Sequence, residues 1–102
     1  MCMKQSTQET FEDDVSDGQV VVDFYADWCG PCKQLTPIVE EIDEDQSNDI
    51  SAVKVDIEDQ SELANRFEIR SIPTLMYYRD GEVLGNDIGV VQKDHILEQF
   101  DD

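Results

Sequence analysis

A chain of 102 residues provides for one compact domain and not for two. It carries 25 acidic and 7 basic residues, a formal charge of −18, which excludes the basic footprint of a nucleic-acid binder and opposes docking on an anionic membrane surface. No apolar run approaches the roughly 18 residues of a membrane span, and three cysteines are too few, and odd in number, for a disulfide-stapled scaffold.

The acids interrupt clear apolar periodicities from Phe11 to Phe100 instead of forming a block, so the chain reads as folded and not disordered. With 15 Asp, 10 Glu and only four Lys, the charge suggests adaptation to very high salt, where the Debye length falls to about 3 Å at 1 M. The start of the chain has no apolar stretch resembling a signal peptide, so a cytoplasmic location is expected. One domain spans residues 1–102, with residues 1–5 expected to be loose.

Ser6-Thr7-Gln8-Glu9 fits a capping box. A short helix carrying Phe11 and Val15 should follow, with Gly18 as its stop. Val20 to Tyr25 is a β-branched and aromatic run, apolar on both faces except at Asp23, as a central parallel strand would be. After Trp28-Cys29-Gly30-Pro31-Cys32, the spacing of Leu35, Ile38, Val39 and Ile42 predicts an amphipathic helix, kinked at Pro37. Ala52 to Ile57 predicts a second buried strand, Leu63 and Phe67 a third helix, and Thr74 to Tyr78 another strand. Asp80-Gly81 signals a hairpin into a strand from Val83. Ile96 and Phe100 mark a last helix, with Val91 near its start. Alternating helices and strands followed by a hairpin predict a mixed sheet with helices on both faces.

Cys29-Gly30-Pro31-Cys32 carries the sharpest chemistry. Two thiols separated by two residues at a helix start can close a small disulfide ring, and the helix N-terminus favours the thiolate of the first. Pro31 suits an early helical position, where no N–H is needed, and Gly30 allows close backbone approach. The other use of this spacing is half of a zinc site, but beyond the pair the chain offers only Cys2 and His95, near opposite ends.

Together, Asp23-Phe-Tyr-Ala-Asp-Trp28-Cys29-Gly-Pro-Cys32-Lys33 and the downstream Ile72-Pro73-Thr74 resemble the active-site segment and the cis-proline loop of the thioredoxin family. Gly81 and Gly89 match the hairpin glycine of that family and the glycine before its last helix. The resemblance runs from about Ser6 to Phe100. It implies a thioredoxin fold: one α/β domain with a central mixed sheet of four to five strands and four flanking helices. Two features depart from the family. The few residues before Ser6 do not look like a strand, so the first edge strand is expected to be missing or very short. Tyr25 stands where many members have a second tryptophan.

The resemblance implies a thiol–disulfide oxidoreductase that reduces protein disulfides through a redox-active Cys29–Cys32 pair and is re-reduced by a reductase. It implies no bound cofactor and no metal, and a monomer, with Cys2 able to form only an adventitious intermolecular disulfide. Cys29, nearer the helix end, is expected to attack, and Cys32 to resolve the mixed disulfide. Asp23 is read either as a strand residue bonded locally or, as the resemblance suggests, as a buried acid that accepts the Cys32 proton. Lys54, on the neighbouring strand, either pairs with it or is an exposed strand lysine. Trp28 is expected to offer an apolar platform. Gly30, Pro31, Ile72, Pro73, Gly89 and Val90 should complete the substrate surface, with an extended substrate pairing with Ile72 as an added strand. His95 reads as a surface helix histidine, and no chemistry is assigned to Pro37. A different class of reading is a redox-independent binding or chaperone module that uses the patch around Trp28, Ile72 and Val90.

Overall fold

A computed structural model describes residues 3–101; Cys2 lies outside the described residues. Five strands form one sheet in the order β1-β3-β2-β4-β5. They are β1 (Lys4–Gln5), β2 (Gln19–Tyr25), β3 (Ile50–Asp56), β4 (Thr74–Arg79) and β5 (Glu82–Ile88). Pairing is parallel from β1 through β3 to β2, and antiparallel from β2 through β4 to β5. Four helices accompany them: α1 (Phe11–Asp14), α2 (Gly30–Glu44), α3 (Ser61–Arg66) and α4 (Lys93–Glu98). The mixed sheet is thus the one expected, and its first edge strand is present with two residues. Its neighbourhood is firmer than the sequence suggested, because Met3 is buried and Lys4 and Gln5 pair with Val53 and Lys54.

The central strand β2 alternates its side chains between two cores, as a strand with period two must. Val21 packs with Leu35, Val39 and Ile42 of α2, with Leu75 and Tyr77 of β4 and with Ile96 of α4. Val20, Val22 and Phe24 face the other side with Phe11, Val53, Val55, Leu63 and Tyr78. There Phe67 sits against both Phe11 and Phe24, at centroid separations of 5.2 and 5.9 Å. Burial on both faces accounts for the nearly unbroken apolar run that marks this strand in the sequence.

The start of α1 differs from the capping box expected at Ser6 and Glu9. The reciprocal pair is one residue later: Thr10 N–H bonds to Thr7 Oγ1, and Thr7 N–H to Thr10 Oγ1. Ser6 is instead buried and donates its hydroxyl to Asp14 at 2.8 Å. The helix also ends at Asp14, so Gly18, at φ +74, serves the turn into β2 and not the helix end. That turn is lashed to the β4–β5 hairpin, since Gly18 and Asp80 exchange two hydrogen bonds of 2.9 Å. Asp80 and Gly81 both take positive φ, as the Asp-Gly signal predicts. Pro37 lies within α2 without interrupting it.

Candidate active site

The reactive pair sits where β2 gives way to α2. Cys29 is the residue before the helix: its backbone is extended, and its sulfur accepts the N–H of Cys32 at 3.1 Å. One of the free donors of the first helical turn therefore points at this sulfur, as a stabilised thiolate requires. Pro31 occupies the first turn at no cost in hydrogen bonds. Cys29 and Cys32 are joined as a disulfide, with Cα atoms 5.3 Å apart. Both sulfurs are shielded, Cys29 (4% exposed) slightly less than Cys32 (1%).

Ile72 packs against the group formed by Tyr25, Ala26, Cys29 and Cys32. The Ile72–Pro73 peptide is cis, as the resemblance implied. The loop is closed on itself by Thr74 Oγ1 donating to the Ser71 carbonyl at 2.6 Å. Gly89, at φ +94, donates its N–H to the Pro73 carbonyl at 2.8 Å, which carries the β5–α4 connection to this loop. Val90 follows and is 38% exposed, and Trp28 is 67% exposed. Gly30 is exposed, and a Cβ there would meet nothing in the chain, so its missing side chain serves no internal contact. A cleft of about 250 Å³ opens beside Cys32, lined by Tyr25, Ala26, Asp27, Lys33, Thr36 and Pro37.

Asp23 lies fully buried in the middle of β2, on the sheet face of Val21 and Tyr25. Neither carboxyl oxygen has a hydrogen-bond partner. Burial without compensation pushes its pKa up to about 7, with the Lys54 charge pulling the other way. Lys54 is its in-register neighbour on β3. The Lys54 side chain does not close on the carboxylate: its ammonium lies over the Tyr25 ring, 5.5 Å from the centroid. The side chain is half-buried, so neither expectation for Lys54 describes it fully.

Glu58 is a residue that sequence reasoning missed. Its carboxylate accepts the Trp28 indole N–H at 2.9 Å, which fixes the exposed ring beside Cys29. His95 is bound to Asp87 at 2.8 Å on the surface of α4, as a surface helix histidine would be, and Asp87 also accepts the hydroxyl of buried Tyr77 at 2.7 Å. Among the described residues no three His, Cys, Asp or Glu converge as metal ligands, and no helix is long and apolar enough to cross a membrane.

A disulfide at a helix start, packed against a cis-proline loop and following a strand that buries an acid, defines a dithiol redox class. Comparison with known proteins sharpens this. The thioredoxin family model matches residues 2–102. The chain is 37% identical to thioredoxin of Bacillus subtilis over 98 residues, covering 96% of this chain and 94% of the relative. It is 48% identical to thioredoxin of Mycoplasmoides gallisepticum over 80 residues, covering 78% of this chain and 79% of the relative. A solved structure of Plasmodium falciparum thioredoxin superposes with a TM-score of 0.85 at 29% identity, covering 97% of this chain and 99% of that one. The chain belongs to the thioredoxin family. It has the thioredoxin fold and is a thiol–disulfide oxidoreductase whose redox group is a Cys-x-x-Cys pair.

Proposed function

We propose that the chain reduces protein disulfides by two successive exchanges with distinct roles for its cysteines. In the reduced protein the Cys29 thiolate attacks one sulfur of a substrate disulfide. A Cys29–substrate disulfide forms, and the other substrate sulfur leaves as a thiolate that takes a proton from water. Cys32 then gives its proton to the Asp23 carboxylate and attacks the Cys29 sulfur. The bond to substrate breaks, the second substrate sulfur leaves as a thiolate that takes a proton from water, the Cys29–Cys32 disulfide closes, and Asp23 returns its proton to solvent. Two electrons have passed to the substrate, and a reductase returns them. The observation that carries these roles is the Cys29 sulfur held against the Cys32 N–H at the helix start, with Asp23 buried and unpartnered in the strand that leads to it.

Trp28, held by Glu58, supplies an apolar platform, and an extended substrate segment pairs with the Ile72 backbone beside Pro73. Gly30, Pro31, Gly89 and Val90 complete the contact surface. The chain acts as a cytoplasmic monomer, and its charge of −18 suits a high-salt interior.

Insulin-disulfide reduction tests the reading. Wild type should reduce insulin, Cys29→Ser should not, and Cys32→Ser should accumulate covalent substrate adducts. Labelling of Cys32 before Cys29 by iodoacetamide in the reduced protein would reverse the roles. The exposure of Trp28 and Val90 favours, as a second reading, a redox-independent binding surface. Capture of a partner that survives replacement of both cysteines by Ser would support that alternative.

A further inference from the structure

Tyr25 has no part in the exchange steps, yet three observations centre on it. The ring is buried at the end of β2, on the sheet face of Asp23. Its hydroxyl accepts the Gln5 side-chain N–H at 2.8 Å, so the first edge strand steadies it. The Lys54 ammonium rests over its face. Lys54 and Asp23 are direct cross-strand neighbours whose side chains share one face, an arrangement that ordinarily invites a buried ion pair. The pair is not made, and both Asp23 oxygens stay without a partner.

We propose that Tyr25 is a positioning residue for the buried carboxyl: its ring holds the Lys54 ammonium by a cation–π contact and keeps it from closing on Asp23. The physical logic is a competition for one cation. A ring face attracts an ammonium without fully satisfying it, whereas a contacting carboxylate would be locked in its ionised form. An Asp23 fixed as a carboxylate could not hand its proton back and forth. The consequence for catalysis rests on the proposed role of Asp23 toward Cys32; the clamp itself does not.

The groups around Asp23 are few. Lys54 is in register with it on β3 and is the charge that acts on its titration, and Cys29 and Cys32, joined as a disulfide, do not titrate. The facing residue on β4 is Leu75, which is apolar. Asp27, Asp56 and Lys33 lie farther out, around Tyr25 and the cleft. A change in the titration of Asp23 on altering Tyr25 comes either from the Lys54 charge or from water reaching the carboxyl, and replacing Lys54 separates the two.

The test follows the carbon-13 shift of the Asp23 carboxyl against pH in the oxidised protein, where neither Cys29 nor Cys32 is a thiol. Tyr25→Phe keeps the ring and should keep the wild-type midpoint. Tyr25→Leu removes the ring and should lower the midpoint by about one pH unit, a tenfold change in proton affinity, since an opposite charge in contact has that effect. Adding Lys54→Met to Tyr25→Leu should abolish that lowering. An unchanged or raised midpoint in Tyr25→Leu, or a fall as large in Tyr25→Phe, would overturn the proposal. Wild type alone gives a second reading that needs no variant: the Lys54 ε-protons should be shifted upfield by the ring, and unshifted values would equally overturn it. Failure of these titrations leaves the Asp23–Cys32 proton transfer standing, whereas normal resolution in Asp23→Asn would remove that transfer and leave the clamp.

Discussion

Two carboxylates, both nearly removed from water, are treated in opposite ways by this molecule. Asp14, at the end of α1, has a side chain 5% exposed and three donors: Lys4 at 2.6 Å, and the hydroxyls of Ser6 and Thr10 at 2.8 Å each. Burial pushes its pKa up, but those hydrogen bonds and the Lys4 charge outweigh this, and the net value lies below the usual carboxylate range. Asp23, in the centre of the sheet, has no donor at all, and burial raises it to about 7. The contrast separates structure from chemistry. A buried acid that holds a corner together is surrounded by donors, while one left bare retains a proton it can exchange near neutrality.

The largest expected effect comes from Asp23→Asn, which keeps shape and removes the ionisable group. Relative to wild type it should be more stable at pH 8 by on the order of 2–4 kcal/mol. The sign follows from the raised folded value. Wild type is undiminished below about 4, the unfolded pKa of Asp, and loses stability as pH rises through about 7. The gain should therefore vanish near pH 4, and denaturant melts at both pH values check it. Asp14→Asn should do the reverse and cost about 1–2 kcal/mol at pH 8, because it strands Lys4 and weakens two hydroxyl bonds. Its cost should fade as pH drops below the unfolded Asp value and on through the lower folded value. Equal signs for the two Asn variants at pH 8 would break the comparison.

Smaller changes sharpen it. Lys4→Met should cost less than about 1 kcal/mol, since the lysine is largely exposed, and should leave the Asp23 titration unmoved. Molar KCl should raise the melting temperature of wild type, because a charge of −18 repels itself in dilute buffer. The same salt should reduce the penalty of Lys4→Met while leaving the gain of Asp23→Asn nearly intact, because desolvation is not screened. A melting temperature indifferent to KCl would refute the high-salt adaptation without touching the redox chemistry.

What the sequence disclosed depended on whether the signal was local. Cys29 to Cys32 are contiguous, and Asp23 is a lone charge in a strand otherwise apolar on both faces, so both could be read directly. The hairpin at Asp80-Gly81 was equally plain. Ahead of α1 the local sequence does not choose between a Ser6–Glu9 pair and the Thr7–Thr10 pair that forms in the turn before Phe11. The decision lay with Asp14, eight positions away from Ser6, which claimed its hydroxyl. Register could place Lys54 beside Asp23 but not say which way its long side chain would swing. Glu58 was invisible: it is one of 25 acids, and only the fold brings it to Trp28 across 30 positions.

The central claim is that Asp23 takes the Cys32 proton during resolution. Its most direct test is the single-turnover decay of a preformed Cys29–substrate disulfide, followed against pH in wild type and Asp23→Asn. The wild-type rate should rise through an inflection near 7, and Asp23→Asn should lose that inflection and resolve about 10–100-fold more slowly. Identical rates with the same inflection in both proteins would contradict the account.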